Sequence, residues 1–255
     1  PSMNPPTYYS DGSNTGTVYL TDSIADDLVV LGVKAARVEV IRKIYYNSPD
    51  IDYAAYDQIV NRLNSRGIKV MLLADYQTVG QFSGDWNDSL DTTTTNAYIR
   101  DFKTKLTEVA NHYKGTVTYW QIWNEPNLCF TGYCPYLTTT TFAALIRTSY
   151  DTLKSIDTNN IIITGGLATP ETTGTTARNY MNDLYDTSIF STYRALNGKY
   201  PMDSVGYHPY VYPYSQVSVN TFNFYSAITL HNDTGKKLWI TELGWPTQGS
   251  GGITE

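Results

Sequence analysis

The chain has 255 residues, of which 41% are hydrophobic and 16% are charged, and its formal net charge is -6 at pH 7. This apolar content is sufficient for a large core and excludes a chain that is disordered throughout. The acidic balance and the scattered Lys and Arg residues argue against nucleic acid or an anionic membrane as partner. No apolar run reaches membrane-spanning length. Length and composition therefore predict one globular domain over residues 1–255.

From residue 22 onward, helical and strand patterns alternate without a break in composition. The predicted helices are 22–31, 53–66, 97–113, 142–156, 180–196 and 219–230. The predicted strands are 35–41, 68–73, 117–123, 161–164, 204–207 and 237–241. Such alternation is typical of βα units around a parallel sheet, and about 250 residues is the usual length of an eight-stranded α/β barrel.

The six predicted strands are two fewer than a closed barrel requires. The first 20 residues are rich in Pro, Ser, Thr, Asn and Gly, which is typical of loops, and the chain stops at residue 255, soon after the last strand. We therefore expect a (β/α)8 TIM barrel that is cut at both ends, with its first and last strands not evident in the sequence.

Polar residues at the carboxyl ends of the predicted strands are candidates for a functional site, because these ends form the mouth of a parallel barrel. The candidates are Arg37, Asp75, Asn124, Glu125, His208, Tyr210 and Glu242. Cleavage of a glycoside requires one carboxyl group to protonate the leaving oxygen and another to attack or stabilise the anomeric carbon. Glu125 and Glu242 are therefore the predicted catalytic pair.

The residues around these glutamates are more specific than the glutamates alone. Tyr119–Asn127 reads YWQIWNEPN and Trp239–Thr247 reads WITELGWPT. Together they resemble the superfamily of retaining glycosidases with catalytic glutamates on strands four and seven, with families 39 and 5 the most similar. The ELGWPT stretch also resembles the family 17 β-glucanases. Further similarity lies at Ala36–Val38, Gly165–Ala168 and Tyr207–Tyr210, so the resemblance extends from about residue 22 to 248.

The resemblance implies a role for each matching residue. Glu125 would be the general acid/base and Glu242 the nucleophile of a double displacement that retains the anomeric configuration. Asn124 would bind the sugar 2-hydroxyl, and His208 would line the same subsite. Arg37 and Tyr210 would hydrogen-bond the nucleophile and keep it ionised.

Three of the candidates have structural alternatives that the sequence does not exclude. Buried arginines also form ion pairs that serve barrel packing, so Arg37 could be structural, and the same holds for His208. Asp75 could bind a sugar hydroxyl or cap the loop that follows it.

Aromatic residues are abundant, with 23 Tyr and 5 Trp, and their flat rings can stack on sugars, although most such rings serve packing. The rings in predicted mouth loops are Trp86, Tyr133, Tyr136, Tyr212, Tyr214 and Trp245. Trp245, close to Glu242, is the one predicted to contact substrate.

The only two cysteines, Cys129 and Cys134, are close enough in sequence for a small disulfide loop, which favours a secreted, extracellular protein. Two free thiols in a cytosolic enzyme are the alternative, because spacing alone does not establish a bond.

The predicted function is a glycosidase that hydrolyses β-linked glycosides of poly- or oligosaccharides by the retaining mechanism. We expect no metal, because His112, His208 and His231 show no metal-ligand spacing, and no cofactor, because a phosphate-binding glycine loop is missing. The alternative is a non-catalytic carbohydrate-binding protein on a hydrolase scaffold, since a fold alone does not guarantee catalysis. The presence of both glutamates favours the enzyme.

Overall fold

The structure, a computed structural model, describes residues 20–42, 50–79, 85–92, 94–130, 134–169, 175–211 and 213–244, together with the backbone of residues 2–3. The described residues contain one sheet of parallel strands in sequential order. The strands are β1 (Ser2–Met3), β2 (Ala35–Glu39), β3 (Lys69–Ala74), β4 (Tyr119–Asn124), β5 (Ile161–Ala168), β6 (Ser204–His208) and β7 (Lys237–Ile240). All six predicted strands are present, and β5 continues beyond its predicted end to Ala168.

The additional strand, β1, lies in a stretch that the sequence predicts to be loop. Ser2 and Met3 pair in parallel with Arg37 and Val38 of β2. Two residues are too few to form an alternating pattern, which is why this strand is not visible in the sequence. With β1 included, Glu125 follows the fourth strand and Glu242 the seventh. The expectation about the last strand concerns residues 245–255, which lie outside the described residues.

Helices connect the strands. Those in the described part of the chain are α1 (Asp22–Val30), α2 (Tyr53–Asn64), α3 (Tyr76–Val79), α4 (Ala97–His112), α5 (Thr139–Ile156), α6 (Thr175–Tyr185), α7 (Ser188–Asn197) and α8 (Val217–Leu230). Thr21, Asp52, Asn96 and Thr138 precede α1, α2, α4 and α5, and each side chain accepts the backbone N–H three residues further on. These caps define where the helices begin. None of the described helices is long and apolar enough to span a membrane.

The segment predicted as one helix over 180–196 forms two helices, so this prediction was wrong. The break is at Thr187, whose backbone is extended. Its hydroxyl accepts the N–H of Phe190 and so caps the start of α7. Apolar residues continue at helical spacing on both sides of the break, and the hydrophobic pattern therefore conceals it. Helix α7 ends at Asn197 and is followed by Gly198, which adopts a left-handed conformation with φ of 70°.

The core lies between the helices and the outer face of the sheet. Val38, Leu72, Trp120 and Ile162 are neighbours across β2 to β5, and none is more than 1% exposed. Because side chains alternate along a strand, the residues next to them in sequence face the inner side of the sheet. Arg37 and Gln121 are two such residues, and their side chains meet there.

The sheet curls so that its distant strands approach each other. Nη1 of Arg37, on β2, lies 2.5 Å from Oε1 of Glu242, which follows β7. In a flat sheet, five strand spacings would separate β2 from β7 by about 24 Å. The contact therefore requires the curvature of an α/β barrel, which brings the carboxyl ends of the strands around one mouth.

Candidate active site

Glu125 directly follows β4 at the mouth, after an irregular turn of the backbone. Trp123 has φ of 73° and Glu125 has φ of 47°, in a left-handed region that non-glycine residues rarely adopt. The fully buried Trp123 ring holds this turn by donating its Nε1–H to the carbonyl oxygen of Pro135 at 2.7 Å. Packing thus maintains a backbone conformation that local preferences oppose. The Glu125 side chain is 11% exposed.

His208, at the end of β6, lies between the two glutamates. Its Nδ1 is 3.0 Å from Oε1 of Glu125, and its Nε2 is 2.9 Å from the hydroxyl oxygen of Thr241 and 3.7 Å from Oε1 of Glu242. The ring is completely buried. His208 therefore does not line a sugar subsite, as the resemblance implied, because solvent cannot reach its ring. It orients Glu125 from behind instead.

Gly166 on β5 leaves the space that the His208 ring occupies. A Cβ atom at position 166 would lie 2.0 Å from Nε2 of His208, far inside van der Waals contact. The glycine is therefore required by the close packing of β5 against the imidazole.

Both oxygens of the Glu242 carboxylate accept hydrogen bonds from charged or polar side chains. Arg37 donates to Oε1 at 2.5 Å, and the Tyr210 hydroxyl donates to Oε2 at 2.8 Å. Burial, followed by the hydrogen bond to Glu242, raises the pKa of Tyr210, so the phenol keeps its proton and stays a donor. The site is thus arranged to stabilise a negative charge at Glu242.

Arg37 joins three strands at the base of the mouth. Besides its bond to Glu242, its Nε donates to Oε1 of Gln121 and its Nη2 to Oδ1 of Asn124, both at 2.6 Å. Gln121 in turn donates to the Thr241 hydroxyl at 3.3 Å. The sequence left open whether Arg37 forms a structural ion pair or binds Glu242. In the structure the ion pair of Arg37 is the contact with Glu242.

The two glutamates meet across one small gap. One carboxylate oxygen of Glu125, one of Glu242 and a ring nitrogen of His208 all lie within 4.8 Å of one another. These three residues could in principle ligate a metal, but both His208 nitrogens already have partners and the Arg37 guanidinium neutralises Glu242. This donor set fits a pair of carboxyl groups that exchange protons better than it fits a metal centre.

A cavity of about 480 Å³ lies beside Glu242 along the inner face of the sheet. Met71, Tyr210, Trp239 and Leu243 are among the residues that line it. A space of this volume, lined by both apolar and polar side chains, is large enough for a small molecule.

Asp75 does not face this space. It is 1% exposed, and its Oδ1 accepts the backbone N–H of Gln77 at 2.8 Å, which caps the short helix α3. This arrangement matches the capping alternative. A direct bond to a sugar hydroxyl is inconsistent with the burial of the carboxyl group.

The aromatic candidates are divided by exposure. Trp245, Tyr133 and Tyr212 lie outside the described residues. Trp86 is 7% exposed and packs edge-on against Trp123 with ring centroids 5.4 Å apart, so it belongs to the core. Tyr136 and Tyr214 are exposed.

Cys129 and Cys134 form a disulfide that closes part of the loop between β4 and α5. Nearby, the carbonyl oxygen of Tyr136 accepts the Nε1–H of Trp86 and the amide of Asn87. The loop that follows Glu125 is therefore held both covalently and by hydrogen bonds.

Sequence reasoning missed three polar residues of the site: Gln121, Thr241 and Glu39. Gln121 is a polar residue inside the apolar run of β4, Thr241 directly precedes Glu242, and Glu39 follows Arg37 by two positions on the same strand. The sequence contained a signal for Gln121 and Glu39, because a polar residue within an apolar strand is costly to bury unless it has a partner.

A family model described as Cellulase (glycosyl hydrolase family 5) matches residues 5–253 of the chain. No curated protein sequence matches it.

Several solved structures are similar in fold. A monomeric beta-xylosidase from Caulobacter crescentus CB15 superimposes with a TM-score of 0.61 at 15% identity, over 98% of this chain and 52% of that one. A family 39 enzyme from Xanthomonas axonopodis pv. citri gives 0.60 at 14% identity, over 98% and 51%. An endo-1,4-beta-mannanase from Rhizomucor miehei gives 0.58 at 20% identity, over 95% and 76%. At these identities the likeness shows the fold alone. The chain spans about half the length of the first two proteins.

Proposed function

The chain belongs to the cellulase family, glycosyl hydrolase family 5, and on that premise we propose that it hydrolyses β-linked glycosides of poly- or oligosaccharides with retention of configuration. The observation that carries the proposal is the meeting of Glu125 and Glu242, whose closest carboxylate oxygens lie within 4.8 Å beside an open cavity. Two carboxyl groups on either side of a sugar are the equipment of glycoside hydrolysis.

In the first step Glu242 attacks the anomeric carbon while Glu125 gives its proton to the leaving oxygen. A bond forms between the carboxylate oxygen and the sugar, and the glycosidic bond breaks. Arg37 and Tyr210 hold Glu242 in line for the attack through their hydrogen bonds. The Nδ1 atom of His208 contacts Oε1 of Glu125 and limits the rotation of the Glu125 side chain.

In the second step Glu125, now ionised, removes a proton from water, and the resulting hydroxide attacks the anomeric carbon. The bond to Glu242 breaks, so the nucleophile is restored and the second inversion gives net retention. The nearest carboxylate oxygens of the two glutamates lie within 4.8 Å of each other. Such closeness supports retention, because retaining enzymes keep their carboxyl groups about 5–5.5 Å apart and inverting enzymes roughly 6.5–9.5 Å apart.

Replacement of the nucleophile provides the first test. Glu242→Ala is expected to lower kcat at least about 10⁴-fold, since the covalent step has no substitute within the protein. Added azide should restore part of the activity and give the glycosyl azide with inverted configuration, detected by NMR.

Replacement of the acid/base gives the complementary product. Glu125→Ala with azide is expected to yield the azide with retained configuration, because Glu242 still forms the covalent intermediate. Glu108→Ala is the matched control, since Glu108 pairs with Tyr53 and Lys105 on the helical surface. Normal turnover by Glu242→Ala, or equal losses in all three variants, would refute the assignment.

The substrate screen begins with aryl β-xylosides and β-glucosides, followed by β-mannan. Xylosidase and mannanase activities belong to proteins of similar fold, and that likeness supports the order of testing only. Binding on a glycan array without cleavage of any bound glycan would favour the carbohydrate-binding alternative.

We also propose that the protein works outside the cytosol and degrades polysaccharide there. The disulfide between Cys129 and Cys134 supports an oxidising compartment. Fractionation of the source cells tests this proposal. We expect the protein in the medium, and its presence in the cytosol would contradict the proposal.

A further inference from the structure

Two carboxyl groups outside the proposed catalytic pair adjoin each other at the mouth. Glu39 ends β2 and Asp75 directly follows β3, and Glu39 is in register with Leu73, two residues before Asp75. Because Asp75 lies only two residues beyond Leu73, the partner of Glu39 in the sheet, the two acidic residues are diagonal neighbours on adjacent strands. Gln77 donates a hydrogen bond to each of them, so both carboxyl groups lie against the same residue.

Among the described residues, one oxygen of each carboxyl group accepts a hydrogen bond. Gln77 supplies both hydrogen bonds, with its backbone N–H bonded to Oδ1 of Asp75 and its side-chain amide bonded to Oε1 of Glu39. Oδ2 of Asp75 is buried, and no donor of the described residues bonds to it. Two ionised carboxylates in this arrangement would repel each other at short range, whereas one proton between them satisfies the buried oxygen.

Among the described residues, few charged or titratable groups face the pair. Arg37 lies two residues before Glu39 on β2, Glu242 approaches from β7, and the phenols of Tyr56 and Tyr98 face the pair from α2 and α4. Burial raises the pKa of both phenols, so they stay neutral. Burial also raises the pKa of Glu39 and of Asp75, and the nearby Arg37 only partly opposes this.

We propose that Glu39 and Asp75 share one proton and act together as a positioning pair for the Arg37–Glu242 ion pair. The proposal rests on the function proposed above. With one proton the pair carries a single negative charge, and Arg37 keeps its three bonds to Gln121, Asn124 and Glu242. Loss of that proton adds a second negative charge, which repels Glu242 and competes with it for the guanidinium.

The shared proton is measurable without any activity. In infrared difference spectra at neutral pH, Asp75→Asn and Glu39→Gln are each expected to lose one protonated-carboxyl absorption relative to the unmodified protein. In either variant the new amide donates to the remaining carboxylate, so removing one partner also ionises the other. If neither variant loses such an absorption, the shared proton is overturned, whatever the activity of the enzyme.

The positioning role is measured with an aryl glycoside whose leaving group needs no proton, because its cleavage is independent of acid catalysis by Glu125. The unmodified enzyme should lose kcat/KM at alkaline pH, and Asp75→Asn should not, since an amide keeps its hydrogen. Asp75→Ala, which has no hydrogen to share, should lower kcat roughly tenfold with little change in KM. Rescue of kcat by Asn relative to Ala distinguishes positioning from simple loss of structure.

Asp233→Asn is the matched control. Burial also raises the pKa of Asp233, but this carboxyl lies before β7, at the opposite end of the strands from the mouth. Its substitution should leave the loss of kcat/KM at alkaline pH unchanged. If Asp75→Asn and the unmodified enzyme lose kcat/KM alike at alkaline pH, the positioning role is overturned. Absence of all glycosidase activity in the unmodified protein refutes the proposed function, while the infrared test of the shared proton stands.

Discussion

At the scale of single residues, the site depends on carboxyl groups that are each held by fixed partners. Glu242 has Arg37 on one oxygen and Tyr210 on the other, and Glu125 has His208. These contacts join residues more than 30 positions apart in the sequence, so each depends on the fold being complete. A side chain held in this way needs little reorganisation when the reaction begins, which is how preorganised sites lower a barrier.

Asp75 gives a residue-scale prediction about pH and stability. An unfolded Asp ionises near pH 3.9, whereas burial, with the negative charge of Glu39 adding to it, raises the pKa of folded Asp75. Between these values the folded protein binds more protons than the unfolded chain, so its free energy of unfolding falls as pH rises, by at most about 1.4 kcal/mol per pH unit. Below both values the effect is absent.

Urea unfolding of the unmodified protein and of Asp75→Asn, at several pH values from about 4 to 8, measures this contribution. The free energy of unfolding should fall less steeply with pH in the variant, because an amide does not titrate. Parallel curves would show that Asp75 ionises alike in the folded and unfolded states.

At the scale of elements, the glycines of β5 decide how closely β4 and β6 can approach. A Cβ at Gly165 would meet the carbonyl oxygen of Trp123 at 2.8 Å, and one at Gly166 would meet His208. Strand β5 thus sets the position of the left-handed turn that carries Glu125 and of the imidazole that orients it.

Gly166→Ala is therefore expected to displace His208 and lower kcat by roughly 10²-fold, because a shift of about 1 Å at a catalytic group has effects of that size. The contact is with a side chain, so the fold should persist, as circular dichroism would check. Gly235→Ala is the control, since a Cβ there meets nothing within 4 Å. Equal activity of the two variants would contradict this account of β5.

At the scale of the whole molecule, the curl of the sheet creates the site, and one covalent link adds to the stability that holds it. Each strand contributes only a few side chains to the mouth, and these meet only because β7 returns towards β2. The disulfide closes the loop that begins immediately after Glu125.

Reduction of Cys129–Cys134 is expected to lower the free energy of unfolding by roughly 2 kcal/mol, because closing so short a loop removes only modest entropy from the unfolded chain. Urea midpoints with and without reductant measure the loss. Cys129→Ser/Cys134→Ser should be as unstable as the reduced protein and insensitive to reductant. An unchanged midpoint on reduction would contradict the expectation.

The sequence by itself determined the α/β alternation and the places where six strands would form, because apolar periodicity and caps such as Thr21 and Asn96 act over a few residues. It also indicated the candidates at the strand ends, since polar groups that follow apolar strands stand out in the chain. It could not reveal β1, which is too short for a pattern, or the break at Thr187, which interrupts the backbone without interrupting the apolar spacing.

Only the tertiary structure decided which of the candidates touch. His208 and Asp75 both follow strands in the sequence, yet one lies buried between the glutamates and the other is buried beside Glu39. The physical reason is that burial and hydrogen-bond partners depend on the curvature of the sheet and on space left by residues such as Gly166. These are properties of strands that are distant in the chain, and local preferences carry no information about them.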